Sequence, residues 1–221
     1  MHRMPVPEDG CAAPAQDSSE GNVRSLKLTV TTGNLLLDLR EGTNADHRRV
    51  EMHALLRPLV STTLSLEQYS RVIAAFTGFH DAIERRLTEI SSRIDFPGYR
   101  YQPRLPLLVE DREALPPCAV TPCKTGPVLS LEDERVGVLY VLEGATQGGL
   151  VIAPCLSLRL GLGENAGARY FNLYRQRSWQ QFRTMLAQCQ QHYDPHLAVR
   201  AARATFDHLH AHLDLCLSST P

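Results

Sequence analysis

Residues 139–152 of the chain read LYVLEGATQGGLVI, an apolar run that contains Gly144, Gly148 and Gly149. Each glycine costs a helix about 0.5–1 kcal/mol relative to alanine, so glycines this close together oppose the buried helix that their apolar neighbours favour. One interpretation is a helix opened so that its backbone can approach something flat or bulky. The alternative is a loop between two helices. The glycine spacing differs from that of dinucleotide-binding and phosphate-binding loops, so the run does not predict a phosphate ligand.

The rest of the sequence predicts an all-α protein, because apolar residues recur at helical spacing along most of it. The ranges with this pattern are 35–60, 65–90, 130–160, 171–186 and 195–213. Ser65 and Gln68 have the spacing of a capping box at the start of the longest stripe. We expect Ser130 to cap the helix that enters the glycine-rich run, Asn44 to mark a bend or restart in the first helix, and Pro154 to interrupt the helix after the glycines.

The length of 221 residues favours a single domain with one hydrophobic core. Residues 1–34 mix proline, glycine, serine and acidic residues without periodicity, and we expect them to form a disordered tail. Residues 35–217 carry the helical pattern and form the expected helical domain.

Composition and charge exclude several classes of function. Lys and Arg number 23 against 24 Asp and Glu, so no bulk charge favours nucleic acid or an anionic membrane as a partner. No apolar run approaches the roughly 20 residues that cross a bilayer, and no targeting signal is visible, so we expect a soluble, cytoplasmic protein. The six cysteines are scattered and expected to be reduced. Cys118 and Cys123 are the only close pair, and they lack the second pair of a typical zinc site.

Most of the nine histidines do not predict a metal site. His80 lies on the apolar stripe of its helix, and we interpret it as a core histidine with satisfied hydrogen bonds. Two further groups of histidines differ in their predicted location. The first group lies in a predicted turn, where we expect its members to be solvated. The second group lies along the last helix, where its members face different directions. These groups are His192 and His196, and His208, His210 and His212.

His47 is different, because Thr43, His47 and Glu51 follow one another at spacings of four and line one face of a helix. An imidazole that binds a metal usually has its second nitrogen held by an oxygen acceptor, which Glu51 could supply one turn away. The alternative is an exposed histidine paired with a glutamate, which is a small stabilising interaction on many helix surfaces. The spacing alone does not decide between these interpretations.

Two motifs, in this order, resemble the heme oxygenase family. The first is Leu39-Arg40-Glu41-x-Thr43-x-x-x-His47-x-x-x-Glu51, and the second is Leu139-Tyr140-Val141-Leu142-Glu143-Gly144-x-x-x-Gly148-Gly149. The resemblance is greatest to the bacterial enzymes found with bacteriophytochromes. Together with the helical pattern it covers residues 35–215.

The resemblance implies a single-domain, multi-helical bundle in which heme lies between two helices. The proximal helix supplies the axial ligand of the iron, here His47, with Thr43 and Glu51 on the same helix face. The distal helix is kinked at glycines, so that its backbone can pass close over the porphyrin and leave room for dioxygen. These glycines are here Gly144, Gly148 and Gly149.

The resemblance also implies a reaction in which heme is both cofactor and substrate. O2 and electrons from ferredoxin or a flavoprotein reductase convert it to biliverdin, carbon monoxide and Fe2+, and a bacteriophytochrome is an implied recipient of the biliverdin. Tyr140 matches the tyrosine of the family's distal helix. Tyr140 and Arg183 are our candidates for contacting the heme propionates, and the alternative for Arg183 is a plain surface charge.

Three positions depart from the family's pattern. Ala145 stands where relatives have serine or aspartate, Gln147 where leucine is usual, and Pro154 where the helix ordinarily continues. Gln147 offers a polar group that Ala145 lacks. Two alternatives to an enzyme therefore stay open: a non-catalytic heme- or bilin-binding protein on the same fold, and a helical interaction module without a cofactor.

Overall fold

The computed structural model describes residues 33–90, 96, 98–123 and 131–218. Nearly all of the regular structure in these residues is helical, and the described ranges contain isolated β-bridges but no strand. The predicted all-α fold is therefore confirmed. The helices are α1 (Leu35–Glu51), α2 (Leu66–Ile90), α3 (Leu105–Glu113), α4 (Glu132–Ala145), α5 (Gly149–Leu160), α6 (Arg169–Asn172), α7 (Ser178–Cys189) and α8 (Pro195–Ser218).

Helix α1 begins where the predicted tail ends, although residues 1–32 themselves lie outside the described part of the chain. Asn34 caps the helix, because its side-chain oxygen accepts a hydrogen bond from the amide of Leu37 at 3.1 Å. The helix then continues without a break to Glu51, so the predicted restart at Asn44 is wrong. Gly42 has a packing role instead, since a Cβ atom there would lie 2.5 Å from Val199 of α8.

Helix α8 supports both α1 and α4. Two contacts join α8 to α1. Gly42 packs against Val199, and one to two turns further along both helices the ring of His47 meets Phe206 edge-on, with the ring centroids 5.8 Å apart. On α4, a Cβ at Gly137 would lie 2.1 Å from the carbonyl oxygen of Ala198, so the two backbones touch. One helix thus fixes the positions of both helices that carry the predicted site.

The capping box before α2 is confirmed. The amide of Ser65 donates to Gln68 Oε1 at 2.9 Å, and the amide of Gln68 donates to Ser65 Oγ at 3.2 Å. The predicted apolar stripe is buried from Tyr69 to Leu87. It forms the centre of the core and packs against α3 and α8.

The glycine-rich run joins α4 to α5 through a tight 3-10 turn at Thr146–Gly148. Ser130, the predicted cap of α4, lies outside the described residues; the amide of Leu131 donates to Glu134 Oε2 at 3.2 Å at this helix start. Helix α5 continues through Pro154, so the predicted interruption is wrong. A proline lacks the N–H group that would donate a hydrogen bond to the carbonyl four residues earlier in the helix. That carbonyl belongs here to Leu150, which is 54% exposed, so water can replace the lost hydrogen bond.

The continuous run Glu132–Leu160 is the one stretch of the described residues that is long and apolar enough to cross a membrane, so the prediction that no apolar run approaches this length is wrong. More than half of its most apolar window, 56%, is buried inside the protein. A core helix of a globular protein meets the same criterion of length and composition. The burial of this run therefore favours a core helix.

Candidate functional site

His47 lies on α1 with its side chain 54% exposed. Its Nδ1 atom is 3.4 Å from Glu51 Oε2, as the sequence spacing predicted. Among the described residues no hydrogen bond to Nε2 of His47 is observed, so this nitrogen is available to a ligand. The geometry suits a metal-binding imidazole oriented by a carboxylate, and it also suits the plain surface pair that remained the alternative.

Thr43 and Tyr140 connect α1 with α4. Thr43 is buried and donates to the carbonyl of Leu39 at 2.7 Å. Its side chain also lies close enough to the hydroxyl of Tyr140 to influence the pKa of that group. Burial raises the pKa of Tyr140, whereas Thr43 and the nearby Arg40 act in the opposite direction. His47 follows Thr43 by one turn, and a glycine follows Tyr140 by one turn. The contact therefore brings the predicted proximal face next to the glycine-rich run.

The three glycines of that run have different surroundings. A Cβ at Gly144 would meet only Trp179, at 3.9 Å, and a Cβ at Gly148 only Ile152, at 3.6 Å; both are ordinary contact distances. Gly144 and Gly148 share one side of the helix, which is bare backbone with free space beside it. Gly149 is instead buried, and a Cβ there would lie 2.1 Å from the carbonyl oxygen of Phe171. Its missing side chain serves the packing of α5 against α6.

Ala145 is exposed beside the bare face, and it presents no polar atom there. The side-chain amide of Gln147 donates to Thr146 Oγ1 at 3.2 Å, and Thr146 in turn donates to the carbonyl of Glu143 at 2.6 Å. Gln147 also faces a cavity of about 290 Å³. The other residues around this cavity are Leu150, Tyr174, Arg175, Arg177, Trp179 and Gln180.

Two arginines flank the contact between α1 and α4. Arg183 is exposed on α7, one turn after Trp179, whose ring lies 5.8 Å from that of Tyr140. Arg40, which the sequence reasoning missed, lies within electrostatic reach of Tyr140. Its position seven residues before His47, on the same face of α1, was the available signal.

A buried ion pair lies directly before the glycines and was also missed. Arg104 and Glu143 are 1% and 0% exposed, and Arg104 Nη2 is 2.7 Å from Glu143 Oε1. The hydroxyl of Tyr99 donates to the same oxygen at 2.7 Å. Burial, and secondly the charge of Glu143, raises the pKa of Tyr99, so its proton stays in place as a donor. The pair anchors the last turn of α4 to the segment before α3.

The interpretation of His80 as a core histidine is confirmed. His80 is 2% exposed; its Nδ1 lies 3.2 Å from Glu84 Oε1, and its Nε2 lies 3.2 Å from the hydroxyl of Tyr170. Burial lowers the pKa of His80 and outweighs the opposite effect of Glu84. Glu84 also accepts from the amide of Arg104 at 2.6 Å, so this network adjoins the ion pair before the glycines.

The remaining predicted features occupy separate places. Among the described residues the five cysteines form no disulfide, and His192 and His196 are exposed as expected. The three histidines in the second half of α8 have three different partners, in agreement with their spread over the helix. His208 lies 3.1 Å from Cys123, His210 lies 3.1 Å from Asp214, and His212 lies 2.9 Å from the carbonyl of Ala75.

Comparison with known proteins agrees with this architecture. No family model matches the chain. A heme oxygenase from Xanthomonas campestris pv. campestris (strain 8004) is 33% identical over 151 residues, which cover 66% of this chain and 84% of that protein. The NO- and CO-bound heme oxygenase from Neisseria meningitidis has a TM-score of 0.63 at 18% identity, over 85% of this chain and 94% of that one. The heme oxygenase from Leptospira interrogans has a TM-score of 0.59 at 18% identity, over 83% of this chain and 100% of that one.

The architecture is thus a heme oxygenase-like, all-α fold. The chain belongs to the heme oxygenase family, as its identity to the Xanthomonas protein shows. The resemblance noted between the two motifs and this family is therefore confirmed.

The contrasting glycines generate a paired prediction. Gly149→Ala places a methyl group against the Phe171 carbonyl, and we expect a loss of about 1–3 kcal/mol in the free energy of unfolding. Gly148→Ala meets only Ile152 and should leave stability unchanged or raise it by up to about 1 kcal/mol. Urea unfolding of both variants measures the difference. Equal stabilities would contradict the packing role of Gly149.

The buried ion pair generates a second prediction. Glu143→Gln leaves the charge of Arg104 buried without a counter-ion, and we expect a loss of about 3–5 kcal/mol in the free energy of unfolding. The double variant Arg104→Met, Glu143→Leu removes both charges and should recover part of that loss. Arg85→Met breaks the exposed pair with Asp81 and is the matched control, with a much smaller expected effect. A double variant less stable than Glu143→Gln would contradict this account.

His80 generates a prediction about pH. Its pKa is lowered in the folded state, so below about pH 6.5 the unfolded chain binds a proton that the folded chain does not. Stability is therefore fully present above that pH and falls as the pH decreases through the window beneath it. Urea unfolding at several pH values should show a shallower decrease for His80→Gln than for the natural chain, with exposed His196→Gln as control. An unchanged slope in His80→Gln would contradict the assignment.

Proposed function

We propose that this chain is a heme oxygenase that cleaves heme to biliverdin, carbon monoxide and Fe2+ with O2 and electrons from an external donor. The observation that carries the proposal is the contact between Thr43 and Tyr140, which brings the helix of His47 next to the bare face of Gly144 and Gly148. A flat ligand between these helices would find an imidazole on one side and backbone without side chains on the other. The residues present fit a heme group.

His47 is the proposed axial ligand of the heme iron. Glu51 lies 3.4 Å from Nδ1 and would fix the orientation of the ring, so that Nε2 binds the iron. Thr43 would hold the neighbouring turn of α1 against Tyr140. Bound heme supplies both the redox-active iron and the ring that is cleaved. A neutral imidazole would donate less electron density to a bound iron than a cysteine thiolate would.

Gly144 and Gly148 form the proposed distal wall. A side chain at either position would occupy the space beside the bare backbone, which is where the porphyrin and O2 would lie. Gly149 supports this wall from behind through its contact with Phe171. Gln147 is the polar side chain next to the wall, and we propose that its amide, joined to Thr146, orders water there in place of the group that Ala145 lacks.

The propionates of the heme would be met at the edge of the proposed site by hydrogen-bond donors and cations. Tyr140 is half-buried beside Thr43, and burial keeps its hydroxyl protonated, so it is a donor. Arg40 on α1, which lies within electrostatic reach of Tyr140, and the exposed Arg183 on α7 are the proposed sources of positive charge. Cation–carboxylate hydrogen bonds of this kind orient a planar ligand as well as hold it.

A second candidate is a non-catalytic heme- or bilin-binding protein on the same fold. The observation that favours it is Ala145, which places an exposed methyl group beside Gly144. If ordered water at this point is required for turnover, the chain would bind heme without cleaving it. A helical interaction module without a cofactor is the remaining alternative, and it predicts no specific uptake of hemin.

We infer the setting of the proposed reaction from the sequence resemblance. We propose a soluble, cytoplasmic enzyme that takes electrons from ferredoxin or a flavoprotein reductase. A bacteriophytochrome is the proposed recipient of the biliverdin. These partners rest on the resemblance of the two sequence motifs to the phytochrome-linked enzymes.

The proposal predicts the behaviour of a His47→Ala variant. Titration with hemin should give a histidine-ligated heme spectrum for the natural chain and an affinity at least about tenfold weaker for the variant, because the iron loses its protein ligand. His196→Ala removes an exposed histidine at the start of α8, outside the set of proposed heme-binding residues, and is the matched control. Unchanged hemin uptake and spectrum in His47→Ala would contradict both heme-binding proposals.

Addition of a reductant separates the two heme-binding functions. With ascorbate, or with ferredoxin and its reductase, the heme bands of the natural chain should disappear in air while bilin absorption grows. A heme spectrum that persists under these conditions would instead identify the non-catalytic carrier.

A further inference from the structure

We propose that His53, His210 and Asp214 form a binding site for a divalent transition-metal ion, separate from His47. His53 Nε2 lies 3.1 Å from Asp214 Oδ1, and His210 Nδ1 lies 3.1 Å from Asp214 Oδ2. The three ligand atoms lie within 4.8 Å of one another. His53 follows the end of α1, and the other two residues lie one turn apart on α8.

The spacing of these atoms suits a small metal ion. Ligand atoms bonded to Zn2+ at about 2.0–2.1 Å in a tetrahedron lie roughly 3.3 Å apart, close to the two distances observed here. Two imidazoles and one carboxylate suit Zn2+ and Fe2+ better than Mg2+ or Ca2+, which prefer oxygen. Asp214 is 58% exposed and His210 is 27% exposed, so an ion can enter from solvent and keep water as further ligands.

The alternative is a carboxylate that accepts two imidazole N–H groups without an ion, and the tautomer of His53 distinguishes the two states. The amide of Leu55 donates to Nδ1 of His53 at 3.1 Å. Without a metal, the neutral ring therefore carries its proton on Nε2 and donates it to Asp214. An ion on Nε2 moves that proton to Nδ1 and breaks the bond from Leu55. The ring keeps one proton throughout, and the lost hydrogen bond limits the affinity.

Such an ion would strengthen the attachment of α1 to α8. His53 is 4% exposed in its side chain and lies just beyond the last turn of α1, and its partners lie beyond Phe206, the residue that meets His47. Binding to the folded chain raises its stability by mass action. The site does not depend on heme, and its metal binding is measurable in the heme-free protein.

The experiment is a Zn2+ titration of the full-length, tag-free chain by calorimetry, in a His47→Ala background that removes the other exposed imidazole–carboxylate pair. We expect one saturable Zn2+ per chain and an increase in Tm. His210→Ala and Asp214→Asn should each weaken binding by at least about tenfold, since each removes a ligand. His196→Ala is the matched control and should bind as the parent does.

A nitrogen-15 spectrum of the histidine rings provides the second readout. Zn2+ should convert His53 from the Nε2-protonated to the Nδ1-protonated tautomer, and helical circular dichroism establishes that each variant is folded. The proposal would be overturned if the His47→Ala parent did not bind Zn2+. It would also be overturned if the His210→Ala and Asp214→Asn variants both bound Zn2+ as tightly as that parent. An unchanged His53 tautomer at saturating Zn2+ would overturn it as well.

Discussion

The close packing of α1 and α4 on α8 is the constraint on which the rest of the structure depends. Gly42 admits Val199, and Gly137 admits the backbone at Ala198, so each helix approaches α8 where a larger residue would hold it away. This shared support lets Thr43 and Tyr140 meet. A displacement of either helix would separate His47 from the glycine-rich run, even though none of the packing residues belongs to the proposed site.

The glycine-rich run combines two physical requirements in one short segment. Gly149 permits the backbone of α5 to touch that of Phe171, and this contact is structural. Gly144 and Gly148 permit open space on the opposite side, and that space is functional under the proposed reaction. Glu143, immediately before them, is fixed by Arg104 and Tyr99 in the interior. The proposed distal wall therefore has no side chains where Gly144 and Gly148 lie, and it is fixed in the interior by the contacts of Gly149 and Glu143.

Local patterns in the sequence predicted the helices, the capping box at Ser65 and the buried state of His80, because each depends on neighbours within a few positions. Contacts across the fold were not predictable. The sequence could not distinguish Gly149 from Gly148 without the Phe171 carbonyl, nor pair His53 with Asp214, 161 positions away. The prediction of an interruption at Pro154 was wrong for the same reason, since the free-energy cost of a proline within a helix depends on whether the Leu150 carbonyl can reach water.

The central claim is that heme lies between His47 and the bare face of Gly144 and Gly148. A crystal structure of the hemin complex, with the iron located by anomalous scattering, tests it most directly. The account predicts an iron bonded to Nε2 of His47 and a porphyrin plane covered by the backbone of the two glycines. Iron held by a different histidine, or a porphyrin on another surface of the protein, would contradict it.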